Sequence, residues 1–159
     1  MSKGRHSRVN YAADDNKEPD MTIQQWLFSF KGRIGRRDFW IWIVTWIVAM
    51  LVLFGLAYSN WLGTQTAAFA LVCLLWPTAS VIVKRLHDRG RSGLWALLIP
   101  LAWMLVAGHW AILPSVLPWV VGKLIPTVIF VMTIIDLGAF VGTQSENKYG
   151  KDTLDVKFR

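Results

Sequence analysis

The chain has 159 residues, of which 54% are hydrophobic and ten are tryptophan. Its mean hydropathy is +0.39, and a water-soluble domain of this size has too small an interior to bury so much apolar surface. The formal net charge of +7 raises the alternative of a nucleic-acid-binding protein. The single cysteine, Cys73, excludes an internal disulfide framework. We therefore expect one small integral membrane domain.

Four long apolar runs make up most of the chain after residue 38. An α-helix rises about 1.5 Å per residue, so about 20 residues cross a hydrocarbon layer of about 30 Å. The runs approach or reach that length and predict an all-α integral membrane protein with four transmembrane helices arranged as two hairpins. The sequence does not determine the first residue of the fourth helix, because prolines interrupt its run. Residues 112–122 form either its first turns or a re-entrant piece. The runs are Phe39 to Ser59, Trp61 to Val83, Leu94 to Leu113 and roughly Ser115 to Phe140.

Nearly all the basic residues lie outside these runs. Eight of the 17 lysines and arginines precede the first run, four lie in a central loop over residues 84–93, and four follow residue 147, which leaves only Lys123 elsewhere. A four-helix path places the three basic segments on one side of the membrane, and the positive-inside rule makes that side the cytoplasm. Membrane orientation thus explains the basic charge, and we expect cytoplasmic termini and no nucleic-acid partner.

The chain before and after the apolar runs is predicted to form cytoplasmic tails. Residues 1–20 lack apolar periodicity, which is typical of a disordered tail. The transmembrane domain is predicted to cover residues 21–141, and residues 142–159 form a polar C-terminal tail on the same side.

A short helix is predicted ahead of the first run, over about residues 22–31. Thr22 and Gln25 suit a capping box. The helix is amphipathic and too short to span, so it either lies in the cytoplasmic membrane interface or packs on the domain's own helices. Its apolar residues follow helical spacing at Ile23, Trp26, Leu27 and Phe30.

Arginines cluster where the basic segments meet the membrane. The planar guanidinium group can hold two phosphate oxygens, as a lysine cannot, and anionic lipid attracts each basic residue near the surface by about 1 kcal/mol. These residues predict a non-enzymatic module that binds anionic lipid headgroups or a protein partner. The protein partner is either a second copy of the chain or another membrane protein. The predicted binding residues are Arg33, Arg36, Arg85, Arg89 and Arg91.

Other polar residues in the same segments are predicted to form a structural network. Asp88 can accept hydrogen bonds from the surrounding guanidinium groups, which would otherwise repel one another. Glycines in these segments let the backbone turn and approach closely. The network is predicted to contain Asp38, His87, Asp88, Asp136, Asn147 and Tyr149, and the turn glycines are Gly32, Gly35, Gly90, Gly93 and Gly150.

Two other classes of function remain open. Asp136 is the one carboxylate inside an apolar run, so it suits an ion relay in a small transporter, although its place roughly 6 Å from the end of the run favours pairing with a central-loop arginine. His87 and Asp88 beside Ser92 suggest a hydrolase, but such a site is defined by geometry and not by proximity in sequence. Three histidines and one cysteine show no metal-ligand spacing, and we expect neither a metal nor a cofactor.

Three motif blocks resemble a known family. On these blocks the chain resembles the family catalogued as domain of unknown function 805, over about Trp26 to Asp152. The resemblance implies a small multi-pass protein of the bacterial inner membrane, and it implies no activity or cofactor. The blocks are Phe30-x-Gly32-Arg33-x-x-Arg36-x-x-Phe39-Trp40, then Lys84-Arg85-Leu86-His87-Asp88-Arg89-Gly90-Arg91-Ser92-Gly93-Leu94-Trp95, and Gly142 with Asn147-Lys148-Tyr149-Gly150-Lys151-Asp152.

Overall fold

The computed structural model describes residues 22–150. Of these residues, 71% are helical and none belongs to a strand, so the predicted all-α class is confirmed for this part of the chain. The predicted tail over residues 1–20 and the last nine residues of the C-terminal tail lie outside the described residues. The helices are α1 (Ile23–Phe28), α2 (Arg36–Tyr58), α3 (Thr64–Asp88), a 3₁₀ helix (Gly93–Leu97), α4 (Leu98–Ala107), α5 (Leu117–Trp119), a π-helical turn (Val120–Leu124) and α6 (Ile125–Gly138).

Three helices in the described part are long and apolar enough to cross a membrane. They are α2, α3 and the continuous helix from α5 to α6, with 23, 25 and 22 residues. These helices correspond to the first, second and fourth predicted runs. The helix of the fourth run begins at Leu117, within residues 112–122, for which two conformations were compatible with the sequence. Within the most apolar 18 residues of each helix, only 11%, 22% and 11% of the residues are buried. Such exposure is expected for surfaces that face lipid. By length and composition, these three helices are therefore typical of a membrane protein.

The third predicted helix is shorter than its apolar run. The 3₁₀ helix and α4 contain five and ten residues, which together rise about 25 Å. Gly108 then adopts an extended backbone (φ −66°, ψ 148°), and the Trp110 ring lies only 2.6 Å from where a Cβ on that glycine would be. The Trp110 indole donates to the Leu105 carbonyl (2.7 Å), so the chain folds back onto α4. The prediction of a helix over Leu94 to Leu113 is therefore wrong for its last six residues.

The first helix begins at the predicted capping box. The Thr22 hydroxyl accepts from the Gln25 N–H (3.3 Å), and the Gln25 side chain accepts from the Thr22 N–H (3.2 Å). Trp26 packs against the buried core, whereas Ile23 and Phe28 are exposed. The helix has six residues, fewer than predicted, and it follows the second of the two alternatives, because it packs on α3.

The central loop is shorter than the predicted 84–93, because α3 continues to Asp88. Gly90 ends the helix with a positive φ of 70°. Its N–H donates to the His87 carbonyl, and the N–H of the next residue donates to the Leu86 carbonyl, both at 2.9 Å. This pair of bonds is a Schellman motif, whose left-handed residue is usually glycine. The charged residues at the start of this block are thus held on a helix.

The buried core lies at one end of the long helices. Its side chains come from the chain just before α2, the start of α2, the last turns of α3 and the end of α6, close to the basic segments. We call this region, residues 29–42, 80–95 and 136–150, the basic end. Large apolar side chains elsewhere are mostly exposed, which places the densest packing around the charged residues. The core consists of Ile34, Phe39, Trp42, Val81, Ile82, Leu86 and Leu137.

Candidate functional site

Asp88 lies at the centre of the basic end, where the three motif blocks meet. Arg33 donates to its Oδ1 from Nε (3.2 Å) and from a terminal nitrogen (3.0 Å). Arg85, one turn earlier on α3, donates to Oδ2. All three side chains are at most 3% exposed. One carboxylate thus joins two guanidinium groups inside the protein, an arrangement that is stable only when the other donors are also satisfied.

Both buried arginines direct their remaining donors at main-chain carbonyl groups. Arg33 holds the segment after α6, and Arg85 holds the end of α6 together with the chain before α2. A neutral carbonyl oxygen satisfies a guanidinium donor without adding charge, so the site stays positive. The carbonyls that accept from Arg33 belong to Thr143, Ser145 and Gly150. Those that accept from Arg85 belong to Leu137, Phe140 and Ile34.

Every carbonyl from residue 137 to residue 141 accepts a hydrogen bond from a side chain at the start of α2 or the end of α3. The last four carbonyls of a helix have no partner within it and carry partial negative charge. Cationic donors therefore suit this end of α6. The donors, in the order of the carbonyls, are Arg85, Trp40, Arg36, Arg85 and Arg89, at 2.6 to 3.2 Å.

The segment after α6 folds back onto the end of α3. The N–H and the hydroxyl of Thr143 both donate to the Asp88 carbonyl (2.8 and 3.1 Å). The Asn147 amide donates to the His87 carbonyl (3.0 Å) and to the Thr143 hydroxyl (2.8 Å). Gly142 passes so close to the Asp88 carboxylate that an added Cβ would lie 2.0 Å from Oδ2. Close packing therefore requires a glycine here.

Asp136 is the second acid of this region, and it pairs with two arginines. Its carboxylate oxygens lie 3.3 Å from Arg89 and 3.2 Å from Arg91. It is two residues from the end of α6, whereas an ion relay needs polar groups deeper in the membrane. The geometry favours pairing with the central-loop arginines over the transport alternative.

His87 is not arranged for catalysis with its neighbours. Its Nδ1 lies 3.3 Å from the Gly32 carbonyl, and its ring stacks on Tyr149 with centroids 3.8 Å apart. The Asp88 carboxylate binds arginines, and the Ser92 hydroxyl caps the 3₁₀ helix. A serine hydrolase needs these three side chains to hydrogen-bond in series, so the hydrolase alternative has no support from this geometry. Within residues 22–150, no group of three or more His, Cys, Asp or Glu could hold a metal ion.

Two polar residues outside the predicted set hold α1. Lys84 is fully buried, and its ammonium group donates to the carbonyls of Gln25 (3.1 Å) and Trp26. Ser80, one turn earlier, donates to the Ser29 carbonyl (2.7 Å). Two of these acceptors, the Trp26 and Ser29 carbonyls, lie at the end of α1, where a helix leaves its carbonyls without partners, whereas the Gln25 carbonyl also accepts from the Ser29 N–H. The signal in the sequence was the spacing of four residues between Ser80 and Lys84, which places both on one face of α3.

Only part of the predicted arginine set is open to a ligand. Arg33 and Arg85 are buried, and Arg89 is partly covered, whereas Arg36 and Arg91 are exposed. An external anion can therefore reach two of the five residues directly. Three further exposed cations lie at the same end, namely Lys31, Arg37 and Lys148.

The remaining predicted residues take different places. Asp38 is half-buried at the start of α2, and no hydrogen bond or ion pair joins its carboxylate to another described residue. Gly35 precedes α2 with an ordinary φ of −73°, and Gly93 packs against Val83, 2.8 Å from the position of an added Cβ. The predicted glycines with positive φ are Gly32, Gly90 and Gly150.

Residues 27–151 match the family described as "Protein of unknown function (DUF805)". The chain is also 74% identical over 139 residues to two proteins described as "Uncharacterized protein YiiR", from Escherichia coli strain K12 and from Escherichia coli O157:H7. Each alignment covers 87% of this chain and 95% of the relative. No solved structure matches the chain. The resemblance seen in the three motif blocks is confirmed, and the chain belongs to the DUF805 family.

Proposed function

We propose that this protein is a non-enzymatic, multi-pass protein of the bacterial inner membrane whose basic end faces the cytoplasm and binds the headgroups of anionic phospholipids. The observation that carries the proposal is the charge of the basic end. Among the described residues it holds nine lysines and arginines against four acids, an excess of five positive charges. Five of the nine cations are exposed, and of these five only Arg91 pairs with an acid among the described residues.

Four membrane crossings are the arrangement that the meeting of helix ends supports. Arg85 contacts both the chain before α2 and the end of α6, so the start of α2, the end of α3 and the end of α6 share the basic end. The last long helix then begins at the opposite end, at Leu117, and the chain after Asp88 has to cross the membrane to reach it. The 3₁₀ helix, α4 and the fold-back at Trp110 supply that crossing, and the positive-inside rule orients the basic end toward the cytoplasm.

Cysteine labelling in intact cells tests this topology. In a Cys73→Ser background, we expect Ser92→Cys to resist an impermeant maleimide added from outside, and Ser59→Cys and Ala111→Cys to react with it. Ala111 is the informative position, because only a crossing by α4 carries it to the periplasm. Permeabilised cells, in which all three cysteines should react, are the control for accessibility. Labelling of Ser92→Cys from outside contradicts the orientation, and protection of Ala111→Cys until permeabilisation contradicts the third crossing.

The exposed arginines are placed to bind phosphate groups at the membrane surface. Arg36 begins α2, and Arg91 follows the end of α3, so each lies where a helix enters the headgroup layer in the proposed topology. Each planar guanidinium group can hold two phosphate oxygens, whereas a lysine acts as a point charge. Because Arg33 and Arg85 are buried, the binding role falls to the exposed Arg36 and Arg91, and to Arg37 next to Arg36. Arg36 and Arg91 each have one internal contact, which leaves other N–H donors of the guanidinium group available.

Native mass spectrometry of the detergent-solubilised protein tests headgroup binding. We expect the parent to retain cardiolipin and phosphatidylglycerol in preference to zwitterionic phosphatidylethanolamine. Arg36→Lys and Arg91→Lys should each lower anionic lipid retention by up to about fivefold, the equivalent of roughly 1 kcal/mol for one lost hydrogen bond, because the charge stays while the two-point contact of the guanidinium group with the phosphate is lost.

The matched control is Lys123→Gln, which removes a cation from the opposite end of the helices and should leave lipid retention unchanged. Equal retention of all three lipids by the parent contradicts headgroup binding. Equal retention by the parent and both arginine variants reduces Arg36 and Arg91 to orientation signals. Co-purification of an acidic protein in place of lipid favours the partner alternative.

A further inference from the structure

A groove of about 250 Å³ runs between α3, the 3₁₀ helix with the start of α4, and α6, and it adjoins the basic end. Its walls are apolar except for Thr133, and Arg91 and Asp136 border it. An apolar cavity of about 150 Å³ is large enough to hold benzene, so this groove has room for a segment of an alkyl chain. The apolar walls include Ile82, Leu86, Trp95, Leu98, Ile129 and Met132.

The polar border of the groove is fixed by two contacts of Arg91. Its guanidinium group lies 3.2 Å from the Asp136 carboxylate and 5.6 Å from the centroid of the Trp95 ring, over which it is positioned. The side chain is still 44% exposed, so some of the five N–H donors of its guanidinium group remain available to a ligand. Arg89 pairs with the other oxygen of Asp136. Two cations against one acid leave this border positive.

We propose that this groove binds one acyl chain of an anionic phospholipid whose phosphate contacts Arg91. The inference rests on the proposed headgroup binding, and it adds a defined position and a second contact. A positive border directly beside an apolar groove matches a ligand with a negative head and an alkyl chain. Asp136 lies two residues, roughly 3 Å along the axis, from the end of α6. This depth places Arg91 near the headgroup layer and the groove beside the upper acyl chain.

The groove lipid differs physically from the lipids that surround every exposed helix. An ordinary boundary lipid meets one apolar face, whereas a chain in the groove contacts side chains of three elements while its phosphate contacts a fixed arginine. The contacts with Asp136 and Trp95 direct the Arg91 side chain toward the border of the groove. The groove should therefore select by headgroup, and the outward face of α6 should not.

Photolabelling of the full-length protein in vesicles tests the inference. The probe is phosphatidylglycerol with a diazirine in one acyl chain, and peptide mass spectrometry maps the cross-links. We expect labelling at Ile129 and Met132 to exceed labelling at Ile134, an exposed residue of α6 outside the groove, by at least about fivefold, the factor expected from one arginine–phosphate contact. Excess unlabelled phosphatidylglycerol should compete, and phosphatidylcholine should not.

Three variants separate the groove from the headgroup contact. Ile129→Trp fills the groove and should abolish the labelling there. Ile134→Trp adds the same side chain to the outward face of α6 and should leave groove labelling unchanged. Arg91→Gln keeps the groove open and should lower labelling about fivefold, which gives a readout even where Ile129→Trp fails to fold.

The outcomes distinguish this inference from the proposed function. Equal labelling of the groove and of Ile134, with anionic selectivity retained in native mass spectrometry, overturns the groove site and leaves headgroup binding intact. Loss of that selectivity in the parent overturns both. Groove labelling that phosphatidylcholine competes as well as phosphatidylglycerol also overturns the inference, because Arg91 then selects nothing.

Discussion

Replacing Asp88 by asparagine is expected to destabilise the protein by about 3–5 kcal/mol, the usual cost of removing one partner from a buried ion pair. The carboxylate lies between Arg33 and Arg85, and all three side chains are inaccessible to solvent. Without its charge, two buried guanidinium groups face each other across a neutral amide. The measurement is thermal unfolding in detergent, followed by the fluorescence of the tryptophans, several of which lie near this site.

Asp38→Asn is the matched control, because it removes the same charge from the same end of the helices. Asp38 is half-buried in the first turn of α2 and forms no ion pair with a described residue. Loss of its interaction with the helix dipole should cost less than about 1 kcal/mol. If Asp88→Asn unfolds at the same temperature as the parent, the network does not need the charge of Asp88. The claim that Asp88 joins the two buried arginines at the centre of the network is then wrong.

Replacing Gly142 by alanine should destabilise the protein by about 1–3 kcal/mol, the range for inserting atoms into a packed interior. The added Cβ would lie 2.0 Å from Oδ2 of Asp88, so either the carboxylate or the chain after α6 has to move. Movement of the chain would break the bonds from Thr143 to the Asp88 carbonyl. Two readouts report this, namely a lower unfolding temperature and faster limited proteolysis after residue 142.

Gly55→Ala provides the control for the same chemical change at an exposed position of α2. An added Cβ at Gly55 meets no atom within 4 Å, and alanine is the better helix former by about 0.8–1.0 kcal/mol. The substitution should therefore be neutral or stabilising. If the Gly142→Ala and Gly55→Ala proteins unfold at the same temperature, the backbone of Gly142 does not lie against the Asp88 carboxylate in the folded protein.

The class of this protein and the placement of most helices follow from the sequence by itself. Apolar runs of sufficient length predict spanning helices because the requirement is local, namely that each backbone donor and acceptor be satisfied within its own segment. The same holds for the capping box of Thr22 and Gln25, which joins residues three positions apart. Family membership also follows, since the three motif blocks carry it directly.

Only the tertiary structure decided where the third helix ends and which charges are buried. Trp110 folds back on α4 through a tertiary contact that hydropathy cannot predict. The apolar run is therefore longer than the helix that forms. Arg33 reaches acceptors 55 and 112 residues away, whereas Arg36, three residues later, stays exposed. Lys84 was counted as a loop cation, although it is buried against the end of α1. Charge and hydropathy are local properties of a sequence, but the burial of a charge depends on partners that only the folded chain brings together.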